Sequence, residues 1–188
     1  MAQVRPSDYV NMKLAFAIAE KEDAAELAAL HKAAAEELTR RYGPGVGSGW
    51  PSERSVLATM RLPKFSKTLL ARSLVGPSKG RIIGTLRLAT KKPWAIDTSY
   101  FTPVPRPLYL VGMAVHPRYQ GTGVGRALVE RAVHMAQDWP GDAIRLDAWD
   151  AEAGAGEFYA KCGFSLVAHA IYKGAPLLYF ELLIPSPI

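Results

Sequence analysis

Apolar residues along this chain fall into two kinds of segment, short continuous runs and longer stretches with helical spacing. The short runs have the length of β-strands. They cover residues 13–19, 67–75, 80–90, 108–115, 143–149, 164–172 and 176–184. The longer stretches are rich in alanine and leucine, which favours helices. They cover residues 20–41, 52–62, 123–138 and 156–162, and Ser52 is expected to cap the second of them.

The resulting order, β-α-α-β-β-β-α-β-α-β-β, predicts an α/β (α+β) fold with one mixed, mostly antiparallel sheet and helices on both faces. Turn-rich joints, "GPSKG" and "KGAP", predict two antiparallel hairpins. Residues 91–107 contain four prolines and three aromatic residues, so we expect an ordered loop there rather than a central strand. No repeat or low-complexity linker marks a boundary, so we expect one domain over residues 13–188 after an N-terminal tail of residues 1–12.

Composition limits the classes of function. The chain has 188 residues and a single cysteine, Cys162, which excludes an intrachain disulfide and fits a reducing compartment. No apolar run approaches the roughly 20 residues that span a bilayer, and the first dozen residues lack a signal core. We therefore expect a cytoplasmic protein without a membrane partner. The net charge of +6 favours anionic ligands, but no basic run indicates nucleic acid as a partner.

Two glycine-rich segments compete as a phosphate-binding loop. Such a loop leaves a strand and enters a helix, because converging N–H groups and the helix N-terminus then face the anion. The segment "YGPGVGSGW" (42–50) lies between two helices, and its Pro44 removes one donor. The segment "VHPRYQGTGVGRALVE" (115–130) follows a strand and opens a helix, with Arg118 and Arg126 as further donors. The second segment is therefore predicted to bind phosphate.

The glycine spacing of this second segment excludes two well-known phosphate motifs. A P-loop requires Lys followed by Ser or Thr after its last glycine, but Arg126 and Ala127 follow Gly125. The dinucleotide fingerprint requires G-x-G-x-x-G early in a βαβ unit, whereas G-x-G-x-G stands here past the middle of the chain. What remains is Q-x-x-G-x-G, which begins at Gln120 after a strand that ends "MAVHP".

Together with "FYAKCGF" (158–164), this pattern resembles the GNAT superfamily of acyl-CoA-dependent N-acyltransferases. The resemblance covers residues 13–184 in element order and is sharpest over 108–164. It implies about six to seven strands, splayed between the strand ending at Val115 and the strand beginning near Ala143. It also implies transfer of an acetyl group from acetyl-CoA to a primary amine, by direct attack in a ternary complex and without a metal.

The resemblance further implies roles for the loop and the preceding strand. Main-chain groups of Met113 and Val115 would hold the pantetheine arm, and Gly112 is typical of a bulge or a close backbone approach. Main-chain amides of the loop would hold the CoA pyrophosphate. These amides belong to Gln120, Gly121, Thr122, Gly123, Val124, Gly125 and Arg126.

Tyr159 matches the family tyrosine that donates a proton or a hydrogen bond to the departing CoA sulfur. Full proton transfer from a phenol to a thiolate is uphill by roughly 2 kcal/mol, so a hydrogen bond that strengthens in the transition state describes the role better. Many family members carry an asparagine seven residues earlier, where this chain has Glu152. A carboxylate there would repel the CoA phosphates. Either Glu152 points away, or backbone groups near Gly154 and Gly156 replace the contact.

The acceptor amine must lose a proton, and Asp147, Asp150 and Glu181 are the candidate general bases. His116 is predicted to be a turn residue and Cys162 an inert thiol.

We expect a small-molecule acceptor to enter beside residues 40–50, 92–107 and 172–176. These segments offer aromatic walls and one acid, which suits a cationic amine. The residues concerned are Trp50, Trp94, Asp97 and Tyr100.

Two other classes of function stay open. A non-catalytic acyl-CoA-binding sensor or partner module would lack a thiolate donor, and Tyr159 argues against it. A nucleic-acid-associated factor is supported by the net charge alone. The apolar final hairpin (164–184) also offers a surface for homodimer formation.

Overall fold

The computed structural model describes residues 13–46, 49–61, 63–139 and 141–185, so the predicted tail over residues 1–12 lies outside the described residues. Within these ranges the chain forms seven strands and four α-helices, in the predicted order. They are β1 (Leu14–Ile18), α1 (Ala24–Tyr42), α2 (Glu53–Met60), β2 (Ser66–Ser73), β3 (Ile82–Ala89), β4 (Pro107–Val115), α3 (Val124–Asp138), β5 (Ala143–Trp149), α4 (Gly156–Lys161), β6 (Ser165–Tyr172) and β7 (Ala175–Leu183).

The strands form one sheet in the order β1-β2-β3-β4-β5-β7-β6. Every neighbouring pair is antiparallel except β4 and β5, which run parallel. Both predicted hairpins are present, since β2 pairs with β3 and β6 pairs with β7. The mixed, mostly antiparallel sheet is therefore confirmed.

Helices cover both faces of this sheet. Consecutive residues of β2 point to opposite faces, as strand geometry requires. Leu69 and Ala71 pack into a core cluster with α3, whereas Leu70 packs into a second cluster with α1 and α2. The prediction of helices on both faces is confirmed. Ser52 caps α2 as expected, because its Oγ accepts a hydrogen bond from the backbone N–H of Ser55 at 3.2 Å.

The sheet opens between β4 and β5. These strands pair at Pro107, Leu108 and Tyr109, which face residues 143–145, and the pairing stops there. A bulge in β4 lies just beyond, because the step from Thr85 to Arg87 in β3 spans three residues of β4. Gly112 sits in this bulge with φ of 61°, a left-handed conformation that disfavours a Cβ. The splay and the irregularity at Gly112 thus agree with the prediction, and bulges bend strands in this way.

Residues 91–107 form an ordered connection, as predicted, with one short 3₁₀ turn at Thr98–Tyr100 before β4 begins. Ile96 and Phe101 anchor the connection in a third cluster that includes Tyr179 of β7. None of the helices in the described part of the chain combines the length and the apolar content that crossing a membrane would require.

Candidate active site

Two cavities lie on opposite faces of the sheet and meet at the bulge of β4. The α3-side cavity has a volume of about 630 Å³ and lies between the end of β4, the glycine loop and α4. The α1-side cavity has a volume of about 390 Å³ and lies between α1, α2 and strands β2 to β4. Both are lined by Met113 and Ala114, so a group at the bulge contacts both cavities.

The glycine loop presents backbone N–H groups to the α3-side cavity. Gly121 and Gly123 adopt left-handed conformations, with φ of 75° and 93°, and Gly123 is the N-cap of α3. The first N–H groups of an α-helix have no acceptor within the helix, and the helix dipole makes that end positive. In α3 these groups belong to Val124, Gly125 and Arg126. The arrangement is therefore suited to an anion.

Gly125 keeps the α3-side cavity open. A Cβ at this position would lie 3.1 Å from Phe158 and 3.4 Å from the Cε of Met113. Both neighbours line the cavity, so a larger residue would have to displace them.

Two polar side chains of the loop are used for internal support. The Nε2 of Gln120 donates to the carbonyl of Val115 at 3.1 Å, and the hydroxyl of Thr122 donates to the carbonyl of Tyr119 at 2.7 Å. The carbonyl of Val115 thus already has a partner within the protein. The side chains of Gln120 and Thr122 fix the loop against the end of β4.

Two basic side chains, those of Arg126 and Lys161, line the α3-side cavity, and Lys161 also pairs with Glu157 at 3.1 Å. The guanidinium of Arg126 donates to the carbonyl of Lys161 at 3.0 Å. Arg118 stands on the preceding turn, where its backbone N–H donates to the Nδ1 of His116 at 3.3 Å. His116 is therefore the N-terminal residue of a short turn, in agreement with the prediction.

Tyr159 lines the α3-side cavity beside Met113, a residue that lines both cavities. Its side chain is buried against Phe158 and Phe164, and its hydroxyl donates to the Sδ of Met113 at 3.8 Å. Burial raises the pKa of Tyr159 well above its ordinary value, and the charge of Asp147 and the nearby Cys162 raise it further. The phenol is thus a neutral O–H donor whose partner is a thioether, a weak acceptor.

The three carboxylates predicted as general bases have different surroundings. Glu181 is buried in an ion pair with Arg145 at 2.9 Å and also accepts from the backbone N–H of Thr102 at 3.2 Å. Asp150 contacts His169 at 3.0 Å on the surface.

Asp147 is half-buried, and this burial raises the pKa of its carboxyl group. None of the three carboxylates lines either cavity.

The structure does not bring together the four residues predicted to form the acceptor wall. Trp50 lines the mouth of the α1-side cavity. Trp94 is 84% exposed, Tyr100 packs edge-on against Tyr179 at 5.8 Å, and Asp97 accepts hydrogen bonds from Ser99. The reason for the separation is that residues 91–107 pack on β7, away from α1 and α2.

Two residues of the α1-side cavity were not singled out from the sequence, His31 of α1 and Arg87 of β3. The Cε1 of His31 lies 3.9 Å from the position that a Cβ would occupy on Gly112. Burial lowers the pKa of His31 below its ordinary value of 6.5, which favours the neutral imidazole. The guanidinium of Arg87 donates to the hydroxyl of Ser66 at 3.2 Å. α1 carries several other polar residues and β3 also carries Thr85, so no local motif marks His31 or Arg87.

Glu152, which replaces the family asparagine, is exposed and does not line the α3-side cavity. Gly154, two residues later, is confined by backbone, since a Cβ there would lie 1.8 Å from the carbonyl oxygen of Trp149. The carboxylate of Glu152 is therefore not among the groups that line the α3-side cavity, and a close contact of Gly154 with a ligand would have to be made by its backbone.

Comparisons with known proteins agree with this geometry. A model of the acetyltransferase (GNAT) family matches residues 28–164, which is more than half of the chain. No curated protein sequence matches significantly.

Solved structures share the fold at low sequence identity. The yncA protein of Salmonella typhimurium, with its cofactor acetyl-CoA, is 17% identical, with a TM-score of 0.66 over 93% of this chain and 95% of that one. The PaiA N-acetyltransferase of Thermoplasma acidophilum, in complex with coenzyme A, is 14% identical, with a TM-score of 0.66 over 92% and 99%. A chain of the NatC complex bound to Gag peptide and CoA is 17% identical, with a TM-score of 0.66 over 93% and 100%. The family match and the shared fold together establish that this chain belongs to the GNAT family of acetyltransferases.

Proposed function

We propose that this enzyme transfers an acetyl group from acetyl-CoA to the primary amine of a small molecule, by direct attack in a ternary complex. One observation carries the proposal. Two cavities on opposite faces of the sheet meet at the β4 bulge beside a buried, protonated tyrosine. One cavity has the features of a cofactor site, and the other can hold an acceptor at the same time.

The α3-side cavity would hold CoA. Its pyrophosphate would accept hydrogen bonds from the N–H groups of residues 120–126, with Arg126 and Lys161 adding positive charge. The pantetheine arm would lie in the opening between β4 and β5, where Met113 and Val115 line the cavity. Since the carbonyl of Val115 is bonded to Gln120, the N–H and C=O groups around Met113 are the main-chain partners that we assign to the arm.

Chemistry would take place at the bulge. The amine nitrogen attacks the thioester carbonyl carbon, the C–N bond forms and the C–S bond breaks, and the sulfur keeps the electron pair. Tyr159 donates a hydrogen bond to this sulfur as negative charge develops on it. Because the pKa of Tyr159 is raised, the phenol keeps its proton and acts through the hydrogen bond rather than by full transfer.

The proton that the amine loses is assigned to His31. Among the described residues that line the α1-side cavity, His31 and Arg87 are the titratable ones, and a guanidinium cannot serve as a base. The neutral imidazole beside Gly112 can accept a proton from an amine at the bulge. Asp147 is the carboxylate alternative, because its charge acts on Tyr159.

The test is release of free thiol from acetyl-CoA in the presence of a panel of amines, with the acetylated product identified by mass spectrometry. We expect turnover with a small amine that requires both substrates to be bound before product leaves. Binding of CoA without turnover of any amine would instead favour the non-catalytic module. Accumulation of an acetylated enzyme in the absence of amine would contradict direct attack.

A further inference from the structure

The charge of the α1-side cavity is positive, whereas a site for a simple cationic amine would be expected to carry a carboxylate. Among the described residues that line it, Arg87 is the permanently charged one, and none is Asp or Glu. A fixed cation disfavours an ammonium group and favours a neutral amine beside it. A polyamine would find no carboxylate among these residues to balance its charge.

Among the residues that the structure describes, Arg87 has no carboxylate partner, in contrast to four other arginines of the sheet and its connections. Arg72, Arg81, Arg106 and Arg145 each form an ion pair with a carboxylate. Arg87 is half-buried, and its side-chain hydrogen bond goes to the neutral hydroxyl of Ser66. A guanidinium has five N–H donors in a planar fork that matches a carboxylate. Most of this donor capacity remains for a ligand.

The position of Arg87 relative to the bulge sets the geometry of that ligand. Arg87 pairs in register with Val111 of β4, the residue before Gly112, and neighbouring strands lie about 4.8 Å apart. The guanidinium and the bulge therefore line one cavity from adjacent strands. A molecule whose amine lies at the bulge can reach Arg87 with a second group a few bonds away.

The rest of the cavity is suited to a small apolar body. Its volume of about 390 Å³ is near the lower end for small-molecule sites. Most of its remaining lining is apolar, from Leu27, Ala34, Ala35, Leu38, Val56 and Trp50.

We propose that the acceptor is an amino acid or a similar amino-carboxylate with an apolar side chain, and that Arg87 binds its carboxylate. This inference rests on the proposed function, since it assigns the acceptor of that same reaction. The amine lies at the β4 bulge, the carboxylate pairs with Arg87, and the apolar body contacts α1 and α2.

Matched acceptors test the proposal on the unaltered enzyme. Leucine, leucinamide and 3-methylbutylamine share one apolar body, and leucine alone carries a carboxylate. With kcat/KM expressed per concentration of the free-amine form of each acceptor, we expect the value for leucine to exceed that for each of the other two by roughly 10- to 100-fold, the range for a hydrogen-bonded charge. Equal or better turnover of leucinamide or 3-methylbutylamine would overturn the proposal while leaving the acetyltransferase function intact.

An Arg87→Gln variant tests whether Arg87 causes the preference for leucine. We expect the ratio of kcat/KM for leucine over 3-methylbutylamine to fall by roughly 10- to 100-fold. Arg131→Gln, which removes the same charge from an exposed position of α3, should leave the ratio unchanged. An unchanged ratio in Arg87→Gln would mean that Arg87 has a structural role only.

A binding measurement separates failure of this inference from failure of the proposed function. N-acetylleucine should bind the enzyme–CoA complex more tightly than N-acetylleucinamide, and Arg87→Gln should remove the difference. This result does not require turnover. If the two ligands bound equally to a protein that releases CoA with amines, the carboxylate site would be wrong and the enzyme assignment would stand.

Discussion

The two cavities differ in which parts of the chain and which chemical groups form them. The α3-side cavity is formed mainly by consecutive residues, the loop 119–126 and the short helix α4, and it combines backbone N–H donors with the side chains of Arg126 and Lys161. The α1-side cavity is formed by side chains from α1, α2 and three strands that are distant in sequence. The α3-side cavity can be recognised from a local sequence motif, because glycine spacing fixes backbone geometry. The α1-side cavity cannot, because its residues come together only through tertiary packing.

This difference matches the two roles that we propose, cofactor binding in the α3-side cavity and acceptor binding in the α1-side cavity. A cofactor shared by a whole family is bound through backbone groups, which tolerate changes of side chain elsewhere. In the function proposed above, the acceptor that distinguishes one enzyme from another would be bound by side chains such as His31 and Arg87. Substitutions in one cavity should therefore affect one substrate, and those at the junction should affect the chemistry.

The largest effect is expected outside both cavities, at Glu181. Glu181→Gln should lower the free energy of unfolding by about 4 kcal/mol, because it leaves Arg145 buried without its charge partner. Glu36→Gln, which breaks an exposed pair with Lys32, should cost less than about 1 kcal/mol. Denaturant unfolding measures both. A stable Glu181→Gln protein whose pH–rate profile is altered would restore Glu181 as a general base.

Beside the junction of the two cavities, Tyr159→Phe should lower kcat by roughly 300-fold, because the departing sulfur loses a preorganised donor. The affinity for CoA should change little, since the phenol contacts a thioether and not the phosphate loop. Steady-state kinetics and calorimetry measure the two quantities. Tyr172→Phe on the final hairpin is the matched control. Equal kcat for Tyr159→Phe and the unaltered enzyme would remove the assigned role.

His31→Gln tests the acceptor cavity through pH. With a neutral imidazole as base, kcat at saturating acceptor should rise up to the pKa of His31, which lies below 6.5, and then level off. Without the imidazole, water or hydroxide must take the proton, so kcat should rise through pH 7 and above, with a loss of roughly 100-fold near neutrality.

Arg87 is the charged neighbour among the described residues that line this cavity. It keeps its charge throughout this range and adds no limb to the profile. His134→Gln, an exposed position on α3, is the control for His31→Gln. A level profile in His31→Gln would transfer the role to Asp147, and Asp147→Asn should then show the steady rise.

The fold could be predicted almost completely from the sequence, and so could the position of the glycine loop between β4 and α3. The order of strands and helices follows from hydrophobic spacing. Gly112 indicates the bulge, because a glycine inside a strand destabilises it unless the backbone conformation there requires one. The acceptor wall could not be predicted. Trp94, Asp97 and Tyr100 look suitable in sequence, but the packing of Phe101 on Tyr179 holds their segment against β7.

Arg87 and His31 were missed for the complementary reason. Each stands in an ordinary strand or helix that has other polar residues, so no local pattern distinguishes it, and tertiary packing alone brings them to one cavity.

A pair of variants tests the separation of the cavities directly. Gly125→Val places methyl groups against Phe158 and Met113, and overpacking of this kind costs about 2 kcal/mol. If the overpacking displaces the glycine loop rather than the core, the Kd for CoA should rise by roughly 30-fold. Arg87→Gln should leave the same Kd unchanged, because Arg87 lies on the opposite face of the sheet and lines only the α1-side cavity among the two.

Calorimetry with CoA alone measures both values, without any acceptor present. Denaturant unfolding of Gly125→Val shows whether the cost is confined to the loop or spread over the core. If Arg87→Gln weakened CoA as much as Gly125→Val, the two cavities would be coupled through the bulge. The division between a backbone-built cofactor site and a side-chain-built acceptor site would then fail, because β4 would transmit a change on one face to the other.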